Sequence, residues 1–149
     1  MSLQNLLAIK RLQEHTRRPE AIRKLFEAAG RNLADAQITQ MSADNRFDAA
    51  YKSILQCAMV GLWSHGFRTA SSQPGHHQTA IQCLVLTMSV PTEDIIVLDA
   101  LRKQRNLSDY EGDPITEAAL ASCLEEAARL LGHTENWLKK HHPGWLALP

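Results

Sequence analysis

Arginines that share a helical face with apolar residues need something to pair with, and this sequence has two of them close together. In the segment Thr92 to Gly112, TEDIIVLDALRKQRNLSDYEG, the positions Arg102, Arg105, Asn106 and Asp109 fall within one arc of about 100° at 3.6 residues per turn, beside Leu98 and Leu101. A guanidinium cannot shed its charge, and its burial without hydrogen bonds is costly, so it must meet a carboxylate, a phosphate or a second protomer. Asp109, one turn beyond Arg105, is one candidate partner. Asp99 with Lys103 and Arg105 with Asp109 also have the i,i+4 spacing of ordinary helix-surface pairs, each contributing about 0.2–0.5 kcal/mol.

A second group able to do chemistry is the pair His76 and His77, which follows the longest turn-rich stretch, RTASSQPG, and opens a helix. There the imidazoles and free backbone N–H groups can face a phosphate, or simply make local hydrogen bonds at a helix start. Long loops in helical proteins often wall a site, which makes this stretch a candidate wall. The seven histidines form no H-E-x-x-H and no E-x-x-H pair of the di-iron kind, so no metal is expected. A small metal site assembled from His65, His76 or His77 and a distant histidine is the alternative. His141 and His142, beside Pro143, read as an exposed helix end. No P-loop, G-x-G-x-x-G or G-x-S-x-G is present, and no cofactor is expected.

The run Arg105-Asn106-Leu107-Ser108-Asp109-Tyr110, preceded by Leu98-Asp99-Ala100-Leu101-Arg102, resembles the signature of the HEPN superfamily (higher eukaryotes and prokaryotes nucleotide-binding) over roughly Arg46 to Arg129. That motif is an arginine, usually followed by Asn, Asp or His, with a histidine four to six residues on. Arg105 and Asn106 match its first half, and Gly66-Phe67-Arg68 with Gly75-His76-His77 resembles a subgroup with Arg-Asn and a tyrosine downstream. The resemblance implies a small helical bundle of a toxin–antitoxin or defence system. It further implies a homodimer with Arg102, Arg105, Asn106 and Tyr110 near the symmetry axis, where they contact the phosphates of RNA or a nucleotide, or a cognate toxin or antitoxin protein.

Family ribonucleases cleave without metal, the arginine holding the phosphate and the histidine moving the proton of the 2'-hydroxyl. Here Tyr110 stands where that histidine would be. A free histidine titrates near pH 6.5 and a free tyrosine near pH 10, so a tyrosine is the poorer base at neutral pH. The reading is therefore a non-catalytic or weakly catalytic binding module. One alternative is a metal-independent endoribonuclease in which Arg105 works with Tyr110, His76 or His77. Another is a helical scaffold whose tail, Trp145 to Leu148, recruits a partner.

The elements that must position these residues are helices. At 149 residues with 44% apolar and 21% charged content, the chain reads as one domain, 1–149. Lys and Arg balance Asp and Glu at 16 each, which excludes a global basic field and makes any nucleic-acid site local. Apolar periodicity predicts a short first helix from Leu3 running out by Thr16 or Arg17, a second opened by Pro19, and a third capped by Ser42 or Asp44 and ended at Gly66. A fourth runs from His76 or His77 through Met88, the arginine helix follows Pro91, and a last one reaches Lys140 after a restart at Asp113 and Pro114. No stretch alternates like a strand. The fold class expected is an all-α up-and-down bundle of five or six helices. Cys57, Cys83 and Cys123 lie among apolar residues with no C-x-x-C pair, the picture of buried free thiols. With no signal-peptide pattern and no apolar run of about 18 residues, a cytoplasmic protein without a membrane partner is expected.

Overall fold

The computed structural model describes residues 1–147. It is an all-α bundle, and its longest interior element is the third helix. Helix α1 (Leu3–Ala8) starts at Ser2, whose hydroxyl accepts from the Asn5 N–H at 3.1 Å, and ends before Lys10, which takes a left-handed φ of 65°. Strand β1 (Leu12–Glu14) follows, then α2 (Pro19–Ala36), α3 (Ala43–Ser64), β2 (Phe67–Thr69), α4 (His76–Gln82), α5 (Leu84–Met88), α6 (Thr92–Glu111) and α7 (Glu117–His141). A short 3-10 turn, Trp145–Ala147, closes the described chain. The α4–α5 junction at Cys83 is a kink in what periodicity reads as one helix, so six helices make up the bundle.

Helix α3 packs most extensively against α2 on one side and α7 on the other. Its buried face is Phe47, Ala50, Tyr51, Ile54, Cys57, Ala58 and Leu62, and each large apolar side chain fully removed from water there contributes about 1.5–3 kcal/mol. A smaller cluster of Ile22, Val60 and Leu138 holds Trp145 and Leu146. Those two tail residues pack, partly buried, on their own domain; Leu148, the end of that segment, lies outside the described residues.

Three local expectations are corrected. The first helix does not run to Thr16: Leu12 is buried from a strand, and β1 pairs antiparallel with β2 through Leu12↔Thr69, Gln13↔Arg68 and Glu14↔Phe67. Three residues per strand are too few to show alternation, and the pairing partner lies more than fifty positions away. Ser42, not Asp44, caps α3, its hydroxyl accepting from the Asn45 N–H at 3.1 Å. Asp44 instead accepts the Ile115 N–H at 2.9 Å, pinning the α6–α7 connection to α3. Finally, α7 starts two residues after Ile115 with Thr116 as its cap, the hydroxyl accepting from Ala119 N–H at 3.1 Å. Asp113 and Pro114 belong to the connection, where Asp113 N–H bonds back to the Leu107 carbonyl behind Gly112, whose φ is 74°.

Candidate functional site

Helix α6 buries Ile95, Leu98 and Leu101, and that stripe turns the next positions, Arg102, Arg105 and Asn106, into the half-buried seam beside α3 and α4. The side chains of Arg102 and Arg105 are 15% and 27% exposed. Arg102 Nε donates to Asp99 Oδ1 at 2.8 Å, and Arg105 Nε lies 2.8 Å from Asp109 Oδ2. The surface-pair reading of the spacing is thus realised, including Lys103 with Asp99 at 3.6 Å. Each arginine nevertheless engages its carboxylate through Nε, which turns the guanidinium's outer edge to other groups.

Beneath Arg105 is a residue the sequence pattern treats as core. The Arg105 guanidinium carbon lies 5.5 Å from the centroid of the Tyr51 ring, a cation–π contact contributing about 0.5–2 kcal/mol depending on desolvation. Tyr51 is only 2% exposed, and its buried hydroxyl makes no hydrogen bond. Burial pushes its phenol up to about 12, with Arg105 and Arg102 opposing the rise, so it stays a neutral donor at any ordinary pH. A buried hydroxyl without a partner costs about 1–3 kcal/mol and calls for a physical reason.

The imidazole of His77 also lies near Tyr51, ring centroids 6.3 Å apart, and meets His76 edge to face at 4.5 Å. Burial lowers the His77 pKa, and the nearby His76, Arg105 and Arg102 charges lower it further. His77 is accordingly neutral at pH 7. Asp48, on the same side of α3, has its carboxyl raised by partial desolvation and by Asp109, against the lowering effect of Arg105. Arg102, Arg105 and His77 are thereby gathered around Tyr51, on three helices spread over more than fifty positions of the sequence.

Tyr110 is placed elsewhere. It is 79% exposed on the last turn of α6, and no contact joins it to Tyr51 or His77. Asn106 is half-buried on the arginine side of the helix. His76 and His77 start α4 after Gly75 in a left-handed conformation, with no side-chain cap. Of the loop expected to wall a site, Thr69 and Ser71 line a cavity with His76 and His77.

The remaining histidines have structural partners. His65 Nε2 and His133 Nε2 lie 2.8 and 2.7 Å from the Thr87 and Met88 carbonyls, satisfying the end of α5. His142 stacks on Trp145 at 3.7 Å, so that helix end is covered on one side. Among the described residues no cluster of three or more His, Cys, Asp or Glu is arranged to hold a metal. All three cysteines are buried free thiols, pushed up to about 11 or 12 by burial. No helix of the described residues is long and apolar enough to cross a membrane. No protein-family model matches the sequence, no curated protein matches it, and no solved structure matches the fold.

Proposed function

We propose that the protein is a HEPN-like binding module that takes the phosphate of RNA or of a nucleotide at the Arg102–Arg105 seam, with little or no catalysis, in a toxin–antitoxin or defence setting. The observation that carries this reading is the half-buried pair Arg102 and Arg105, the latter with its guanidinium stacked over the Tyr51 ring. The carboxylates already on the two arginines do not forbid it. Partly exposed ion pairs are worth about 0–1 kcal/mol, less than a bidentate guanidinium–phosphate contact in a half-buried seam, so a phosphate can displace or share them. A homodimer through α6 is part of the proposal, supported by the exposed apolar residues Ile96, Leu107 and Tyr110 along that helix. The three buried thiols support a reducing, cytoplasmic setting.

The test is fluorescence anisotropy with a labelled single-stranded RNA. Wild type should bind with an affinity that falls as salt rises, and Arg105→Ala should weaken it by about tenfold or more. Binding indifferent to both salt and Arg105 would remove the reading.

A second reading, a metal-independent ribonuclease, is favoured by one observation: His77 is neutral at pH 7 and close to Arg105, as a proton acceptor must be. Tyr51 cannot serve as that base, since at about 12 only about one phenol in 10⁵ is ionised at pH 7. RNA cleavage that persists in EDTA and is abolished by both Arg105→Ala and His77→Gln would establish the enzyme. Inert wild type leaves the binding module.

A further inference from the structure

The space between α3, β2 and α4 holds a cavity of about 390 Å³ that the arginine seam does not use. Its floor is Leu55, Met59 and Trp63 of α3, and its rim is Arg68, His76 and His77. That is the make-up of a small-molecule site: an apolar bed with a few convergent polar groups, in the usual range of about 300–1,000 Å³. Trp63 is held in place by the His15 ring, 4.8 Å away. Met59 and Trp63 together offer a thioether and an indole, surfaces that favour a flat aromatic ring.

The charge of the rim narrows the ligand further. No carboxylate lines this cavity. Arg68 donates its Nε to Gln13 Oε1 at 3.2 Å, and its two terminal amino groups have no other partner among the described residues. A guanidinium edge presented this way fits a planar carboxylate. Because His77 is held neutral, Arg68 is the one permanent cation on the rim, which matches a monoanion better than a phosphate dianion. The larger cavity near the C-terminal turn, about 530 Å³, lacks this character: its Glu27 and Glu135 already pair with its Arg23 and Lys139.

We propose that the cavity is a binding site for a small aromatic carboxylate, its ring lying on Met59 and Trp63 and its carboxylate held by Arg68 with an imidazole of the His76–His77 pair. This site is distinct from the one in the RNA reading, because neither Arg102 nor Arg105 lines the cavity. The experiment is isothermal titration of the full chain with 2-naphthoate and with the neutral 2-naphthamide. Saturable one-site binding of the naphthoate is expected, about tenfold or more weaker for the amide and for Arg68→Gln, and within about twofold of wild type for Lys24→Gln, an exposed cation outside the cavity. Arg68 is exposed in a surface strand, so its substitution leaves the core untouched. No saturable heat with 2-naphthoate, equal affinity for the amide, or an affinity unchanged by Arg68→Gln would each overturn the proposal.

Discussion

Tyr51 is the residue on which the account of the seam turns. If its hydroxyl has no partner in the free protein, removing that oxygen relieves a buried donor of its desolvation cost. Tyr51→Phe should therefore leave stability unchanged or raise it by up to about 1 kcal/mol in urea denaturation, and leave RNA binding unchanged, because the ring beneath Arg105 is kept. A loss of about 2 kcal/mol or more would mean that the hydroxyl already has a protein or solvent partner. The sequence made the arginines legible, because Arg102 and Arg105 break an apolar stripe. Tyr51 was hidden by the same logic: it falls on the periodic face of α3 and reads as core, which it also is. The usable hint was chemical, since a tyrosine in an apolar stripe brings a hydroxyl that must be placed somewhere. Tyr110, by contrast, was singled out by its spacing from Arg105, and spacing along a helix does not say which way a side chain faces at the last turn.

At the scale of elements, two contacts fix how α3 carries the site. A Cβ built on Gly61 would lie 2.6 Å from Thr87 Oγ1 and 3.1 Å from its Cβ, so α3 and α5 approach as closely as they do because residue 61 has no side chain. Gly61→Ala should gain helix propensity of about 1 kcal/mol but lose about 1–3 kcal/mol to overpacking, a net destabilisation measurable as a lower midpoint in urea. Unchanged stability would show that α5 yields easily. The second contact is Asp44 with the Ile115 N–H. Asp44→Ala should cost about 1–3 kcal/mol, since it removes a charge-assisted hydrogen bond and leaves a half-buried N–H unpaired. Amide exchange at Ile115 should accelerate with it; protection retained there would contradict the assignment. The helices themselves were readable from apolar periodicity, with Pro19, Ser42, Gly66 and Gly112 marking ends as local chemistry requires. What was not readable depended on distant partners: β1 needs β2, Asp44 needs Ile115, and the α4–α5 kink answers to the packing around it rather than to any proline or glycine.

At the scale of the whole molecule, titration links the site to stability. His15, His77 and His142 all have pKa values lowered from 6.5, in each case chiefly by burial, with neighbouring cations adding to it. Between those depressed folded values and 6.5 the unfolded chain binds more protons, so stability rises with pH across that window and is complete above it. It is lost as pH falls through 6.5. Asp48 acts in the opposite sense but lower, since its raised pKa lets the folded protein hold a proton in a window opening at 3.8. Thermal midpoints should therefore drop on going from about pH 7.5 to about pH 5.5, and the drop should shrink in His77→Gln. A flat profile would mean that these imidazoles are better solvated than their packing implies.

The bundle was legible as a class because helical period and composition are properties of the chain alone. The site was legible only in part, because it is made where α3, α4 and α6 meet, and no pattern within α6 names what lies across from it. The most direct test of the central claim is an NMR titration of the protein with a short single-stranded RNA, following the arginine Nε–H signals and the Tyr51 ring. The Arg102 and Arg105 signals should shift together with Tyr51 and His77, saturating at one stoichiometry. Shifts confined to other surfaces, with the Arg105 and Tyr51 signals unmoved while RNA is bound, would contradict the assignment of this seam as the phosphate site.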